Sequence, residues 1–189
     1  MLAEWGSPEG TRTRGLKDKR HLYVFGHRPE HLEGPLRLGG HGELTWDKNS
    51  MGAGDLTKPW GPQQEPVTFG VRGKRRAGHA GGDGQLAARF RHGSVLRYQR
   101  PNAGSAVQHS NEKPWPMLAE IIESSTVRAE RVADSDLVVD PCPSSGSTGV
   151  ATILTGRRIF LVELTRAHAD LCVQRIQTAE RIVTLMVAA

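Results

Sequence analysis

Leu137-Val-Val-Asp-Pro-Cys-Pro-Ser-Ser-Gly-Ser-Thr-Gly149 and, further on, Arg158-Ile-Phe-Leu-Val-Glu-Leu164 identify the fold class of this chain. Leu137–Val139 is a short apolar run of strand type. A turn rich in Pro, Ser and Gly follows, then Val150–Leu154 as the body of a helix closed by Gly156, then a second apolar run over Arg158–Leu164. Strand, helix and strand at this spacing predict a βαβ unit, hence a parallel sheet whose ligand crevice lies at the carboxyl ends of the strands. Asp140 ends the first strand, Ser144–Gly149 makes the turn, and Glu163 ends the next strand about 20 residues later, where an acid can accept both hydroxyls of a ribose. A glycine turn lets backbone approach a ligand, and a helix N-terminus offers free N–H groups.

Outward from this unit the pattern continues on both sides. Pro114-Trp-Pro-Met-Leu-Ala-Glu-Ile-Ile-Glu-Ser124 opens with prolines, tolerated in a first helical turn, and sets Leu118, Ile121 and Ile122 on one face. Beyond Glu163, Cys172, Ile176, Ala179, Val183 and Met186 recur at steps of four and three, the stripe of a closing helix. The first half reads instead as short strands: Leu22–Phe25 ended by Gly26, Glu43–Trp46, and Pro66–Val71 with a proline at its start. A loop broken by Gly52, Gly54, Pro59, Gly61 and Pro62 joins the last two, and no internal repeat is visible.

At 189 residues the chain has the length of one ordinary domain, and a single domain over 1–189 is expected. A hydrophobic share of 37% excludes a disordered chain, and no apolar run approaches the roughly 18 to 20 residues needed to span a bilayer. Met1-Leu-Ala-Glu-Trp-Gly-Ser-Pro8 has neither a basic leader nor an apolar stretch, so a cytoplasmic protein without membrane contact is expected. Cys142 and Cys172 are too few and too far apart for a disulfide scaffold or a thiolate metal site and read as packing residues. His27-Arg-Pro-Glu-His31 matches a zinc-peptidase pattern that needs both histidines on one helix face, and Pro29 at its centre argues against that; no metal is expected.

Charge is concentrated in one place. Between Gly70 and Arg100 stand eight basic side chains (Arg72, Lys74, Arg75, Arg76, Arg89, Arg91, Arg97, Arg100) and one acid, Asp83, although the whole chain carries only +5. Seven glycines in the same stretch deny it a long helix, so it reads as a flexible basic insert suited to a phosphate chain, with Tyr98 available to stack on a base.

His109-Ser-Asn-Glu-Lys-Pro114, an apolar helix, Val138-Val-Asp-Pro-Cys-Pro-Ser-Ser-Gly-Ser-Thr148 and Gly156-Arg-Arg-Ile-Phe-Leu-Val-Glu163 together resemble the exocyclic-amino DNA methyltransferases. In that family a His-Pro-Thr-Glu-Lys-Pro-like stretch precedes an Asp-Pro-Phe-x-Gly-Ser-Gly-Thr-Thr loop and a strand ending in the ribose-binding acid. Leu16–Gly26 is similar to the family's strand after its catalytic motif, and Trp46-Asp-Lys-Asn-Ser-Met-Gly-Ala-Gly54 and Glu65-Pro-Val-Thr-Phe69 are similar to its Trp-Asp-Lys loop and next strand. The order is that of the subgroup with catalysis first and cofactor binding last. The resemblance implies a Rossmann-like α/β methyltransferase fold, S-adenosylmethionine as cofactor, double-stranded DNA as partner and methyl transfer to an exocyclic amino group, adenine favoured. It implies a cofactor site of Lys113, Pro114, Asp140, Ser145, Gly146, Ser147 and Glu163. Residues 70–108 would form a target-recognition insert, with Arg72, Lys74, Arg75, Arg76, Arg89 and Arg91 on DNA.

Two departures qualify it. Ser144 replaces a glycine and Pro143 removes an N–H, so Ser144 is asked for a backbone angle glycine adopts more easily. The family's catalytic motif, Asp or Asn, Pro, Pro, then an aromatic residue, has no counterpart, since the sequence contains no Pro-Pro pair. No catalytic residue is therefore assigned. The chain reads as a member lacking that motif, inactive alone, to be complemented by an N-terminal segment or a homodimer. The alternative is a non-catalytic remnant that binds DNA or cofactor. A dinucleotide oxidoreductase would use the same loop but leaves Lys113-Pro114 and Trp46-Asp47-Lys48 unexplained.

Overall fold

The computed structural model describes residues 20–26, 38–52, 54–72, 92–101 and 112–188. The chain divides into two units, Met1–Leu96 and Arg97–Ala189.

In the first unit, aromatic and β-branched residues build β1 (His21–Phe25) and β3 (Gln64–Arg72), and between them in the chain lies β2 (Leu38–Asp47), with three glycines in its first half and Leu44, Thr45 and Trp46 in its second. β3 pairs antiparallel with both others, and β4 (Val95–Arg97) joins the edge beside β2, giving the order β1-β3-β2-β4. Phe69 packs against His21 edge-on at 5.0 Å and against Tyr23 at 5.1 Å, while Trp46, Val67, Val71 and Leu96 are buried. β3 begins at Gln64, two residues before the expected proline start. Pro66 is tolerated inside the strand because it pairs with Thr45 just beyond the end of the β1 ladder, and its carbonyl accepts from Gly26 N–H at 2.9 Å. β4 was not expected: three residues at the end of a basic, glycine-rich stretch carry no alternation long enough to read.

The second unit follows the expected order of helix, strand, helix, strand and helix. These are α1 (Trp115–Ser125), β5 (Leu137–Asp140), α2 (Ser147–Leu154), β6 (Arg158–Leu161) and α3 (Arg166–Ala188), with one 3-10 turn at Val132–Asp134. β5 and β6 are parallel, Leu137 opposite Arg158 and Asp140 opposite Leu161, as a βαβ crossover requires. Met117, Leu118, Ile121 and Ile122 of α1, Ala151 of α2, and Cys172 and Ala179 of α3 form the core. Arg157 is buried just before β6. Its guanidinium donates to the Thr155 carbonyl, the Thr126 carbonyl and Thr126 Oγ1, which fastens the end of α1 to the start of that strand.

Three expectations are corrected here. α2 starts at Ser147 rather than Val150, because the Ser-rich turn winds directly into the helix. β6 ends at Leu161 rather than Leu164, although Val162 N–H still donates to Asp140 O at 3.0 Å, so Glu163 lies two residues past the strand. Met186, expected on the buried stripe of α3, is 74% exposed, because the cover of that helix stops short of its end. Among the described residues no helix is long and apolar enough to cross a membrane, and no group of three His, Cys, Asp or Glu side chains could hold a metal ion. His27–His31 lies outside the described residues.

Candidate functional site

The crossover from β5 to α2 organises four of the seven cofactor residues singled out by sequence, Asp140, Ser145, Gly146 and Ser147. Asp140 closes β5, and its Oδ1 accepts from Cys142 N–H at 2.9 Å, which turns the chain out of the strand. The Gly146 N–H then donates to the Pro143 carbonyl at 2.8 Å. Gly146 itself sits at φ 79, ψ 18 as the N-cap of α2, with no side-chain cap bond. Left-handed backbone at that position is open to glycine at little cost, and a second reason for glycine is contact. A Cβ there would lie 3.0 Å from Cys172 Cα and 3.1 Å from its Sγ.

Ser144 has φ 49, the left-handed angle anticipated from its replacement of a glycine. An L side chain in that region costs roughly 1 to 2 kcal/mol, part of which glycine would return as unfolded-chain entropy. Ser144→Gly is accordingly expected to stabilise the protein by about 0.5 to 1 kcal/mol, read as a higher urea midpoint. A midpoint unchanged or lowered would show that the seryl side chain offsets its own strain.

Glu163 closes the loop from the other strand. Its Oε2 accepts from Ser144 N–H at 3.1 Å and its Oε1 from Thr165 N–H at 2.9 Å, with His168 Nδ1 3.9 Å from the same oxygen. The side chain of Glu163 is 13% exposed, so the carboxylate is held by backbone donors where water is scarce. Ser145 and Ser147 are buried, their hydroxyls 3.4 Å apart. Gly149 lies against Ile176, whose Cδ1 would stand 2.6 Å from an added Cβ, so α2 and α3 approach closely beneath the turn. Pro114 is buried and Lys113 half-buried at the entry to α1, where the Pro114 carbonyl accepts from Leu118 N–H at 3.3 Å.

Sequence reasoning missed Arg175 and the hydrogen bond of Cys172, both on α3. Cys172 donates from Sγ to the Ser144 carbonyl at 3.2 Å, and Arg175 donates from Nη1 to the Ser145 carbonyl at 2.9 Å and from Nη2 to Glu112 Oε1 at 2.8 Å. Cys172 fits its expected packing role. Cys142 does not, being exposed, because the Asx turn at Asp140 carries it outward. Both thiols are shifted upward. Burial is the main cause for Cys172; for the exposed Cys142 it is the partial desolvation by the surrounding turn, and the charges of Asp140 and Glu163 add to both, so neither is poised as a thiolate at neutral pH.

The other expected contacts are less gathered. Arg72 is half-buried at the end of β3, where its own N–H donates to the Arg20 carbonyl at 3.0 Å. Lys74, Arg75, Arg76, Arg89 and Arg91 lie outside the described residues. Tyr98 does not offer a free phenol: its hydroxyl donates to Glu120 Oε2 at 2.5 Å, and that bond, with burial and the nearby charge, pushes its pKa up to about 12. In the Trp-Asp-Lys loop, Trp46 is buried and Lys48 Nζ stands 5.1 Å from its ring and 3.3 Å from Glu65.

No protein-family model matches the sequence. No curated protein matches it either. Solved structures do. The chain is similar to the crystal structure of M1.HpyAVI in complex with SAM, at a TM-score of 0.63 and 16% identity over 85% of this chain and 76% of that one. It is also similar to TTHA0409 from Thermus thermophilus, a proposed DNA modification methylase, at a TM-score of 0.55 and 16% identity, covering 84% and 70% of the two chains. The same protein complexed with S-adenosyl-L-methionine gives 0.51 and 17%, over 87% and 71%. At these identities the likeness bears on the fold, and the α/β methyltransferase fold expected from the sequence is the one this chain has.

Proposed function

We propose that this chain binds S-adenosylmethionine and duplex DNA and serves methyl transfer to an exocyclic amino group, with adenine the favoured base. The observation that carries the reading is the bond from Ser144 N–H to Glu163 Oε2, which joins the acid after β6 to the glycine turn after β5. Each carboxylate oxygen has two lone-pair directions, and here each accepts one backbone N–H, leaving one apiece for the two hydroxyls of a ribose. Asp140 and Ser145–Ser147 would hold the methionine part, aided by the side-chain-uncapped first turn of α2, and Lys113 and Pro114 would form the far wall. When bound, S-adenosylmethionine supplies an activated methyl group. The chain's residues bind and orient it, and the buried floor of Ser145, Gly146 and Ser147 limits water beneath it.

DNA would be met by the insert over 70–108, where Arg72, Lys74, Arg75, Arg76, Arg89 and Arg91 gain from counterion release on phosphates. Two free thiols accord with a cytoplasmic setting. The sequence has no Asp-Pro-Pro-aromatic motif, which leaves a second reading, a remnant that binds DNA or cofactor without catalysis, that the likeness to methyltransferase structures does not favour.

Glu163→Ala tests the site. It removes an acceptor of charged type from a mostly buried crevice, so S-adenosylmethionine affinity should fall by about 1.5 to 3 kcal/mol, measured by calorimetry. Equal affinity in the variant, or no binding by the parent protein at millimolar cofactor, would sink this assignment.

A further inference from the structure

Arg175 belongs to none of the motifs that brought the loop to notice, yet it touches both sides of the candidate pocket. It stands on α3 one turn beyond Cys172, with its side chain only 21% exposed, and Glu112 opposite it is 10% exposed. One arm of the guanidinium meets the Ser145 carbonyl and the other meets Glu112, the residue just before Lys113 and Pro114. The two partners lie 30 and 63 positions away in the chain.

The Ser145 carbonyl and the Gly146 N–H belong to one peptide plane. Holding the carbonyl therefore fixes the N–H that closes the turn on Pro143 and sets the left-handed Gly146 at the head of α2. Holding Glu112 at the same time fixes the distance between that turn and the Lys113–Pro114 wall. A planar fork can do both at once, whereas an ammonium on a flexible stem meets its partners as a point charge. A nearly buried ion pair is weak evidence of stabilisation, because desolvation offsets much of its attraction; what such a pair can give instead is a fixed geometry.

We infer that Arg175 is a positioning residue, a clamp that holds the β5–α2 turn and the Glu112–Pro114 segment at the separation the cofactor requires. This role rests on the S-adenosylmethionine reading above, through residues that reading does not use.

The experiment uses the full chain with Arg175→Met, Arg175→Lys, Glu112→Gln and the double variant Arg175→Met/Glu112→Gln. Two quantities are measured: S-adenosylmethionine affinity by calorimetry, and amide hydrogen exchange at Ser145, Gly146 and Ser147 without cofactor. Arg175→Met and Glu112→Gln should each weaken affinity about tenfold and speed exchange in the turn, while the amides of α1 and β5 keep their parent rates. The double variant should be no weaker than Arg175→Met alone, the mark of one coupled unit, and Arg175→Lys should recover only part of the loss. Should Arg175→Met fold poorly, Glu112→Gln, isosteric and neutral, carries the test. Parent affinity and parent turn exchange in either single variant, or a uniform rise in exchange across the whole unit, would overturn the clamp and leave the cofactor reading standing. No binding by the parent would overturn that reading and the clamp with it.

Discussion

The purified 189-residue protein is expected to transfer no methyl group to duplex DNA above background, and a segment carrying Asp-Pro-Pro-Tyr, fused or added as a separate chain, should raise the rate by roughly a thousandfold or more. An exocyclic amine is a poor nucleophile because its lone pair is delocalised into the base. Transfer needs the base out of the stack, an aromatic ring to hold it, and acceptors that draw on the amino hydrogens so that the lone pair faces the methyl group. On the proposed reading Glu163 would serve the methyl donor, and the sequence has no Pro-Pro pair to furnish the acceptor's site. Asp47 is the nearest substitute in kind; its Oδ1 already accepts from Asn49 N–H at 3.0 Å and from Gln63 Nε2 at 3.1 Å, which ties that oxygen to its own loop. A tritiated-methyl assay on mixed-sequence DNA decides the question. Robust incorporation by the chain alone would mean that other residues hold the amine, and failure of the added segment to restore transfer would favour the binding remnant.

Gly146→Ala should be among the most damaging single methyl groups that can be added to the second unit. Two costs combine. Backbone at φ 79 penalises any L side chain by about 1 to 2 kcal/mol, and the new Cβ would come within 3.0 Å of Cys172 Cα, which belongs to helix backbone and cannot swing away. Overpacking of this kind costs about 1 to 3 kcal/mol, so a total of about 2 to 5 kcal/mol is expected, a large share of the stability of an ordinary domain. Urea denaturation measures it. Because the closest atom is Cα rather than sulfur, Cys172→Ala in the same chain should recover only a small part of the loss. A destabilisation under about 1 kcal/mol would show that the turn can slide along α3.

The second unit was legible because its elements repeat at helical and strand periods and are separated by unmistakable turns. Asp140, the turn and Glu163 could be read together because a βαβ crossover brings consecutive strand ends side by side whatever the intervening helix contains. Even the strain at Ser144 was readable, since a serine had taken a position where the loop pattern wants glycine. What escaped shares a physical reason. Arg175 lies among Gln174, Gln177 and Glu180 on a helix, where a charged side chain ordinarily means a solvated face, and its partners are distant in the chain. β4 escaped because three residues give no period and its pairing with β2 is decided by tertiary position; the Thr45 N–H donated to the Ser94 carbonyl at 2.8 Å lies at its edge.

The uneven cover of α3 gives this helix a gradient of cooperativity. At about 35 Å it is the longest element described, yet its buried anchors, Cys172 and Ala179, both fall in its first two-thirds. Ile182, Leu185, Met186 and Val187 beyond them are exposed, and three β-branched residues in a row, Ile182, Val183 and Thr184, contribute little propensity of their own. Helix there persists only as propagation from the anchored part, so it unzips from Ala188 inward. The melting front must pass Ala179 before it reaches Arg175 and Cys172. The seat of the turn thus lies on the side of the helix where unwinding arrives last, and the terminal turns can exchange between helix and coil without disturbing it.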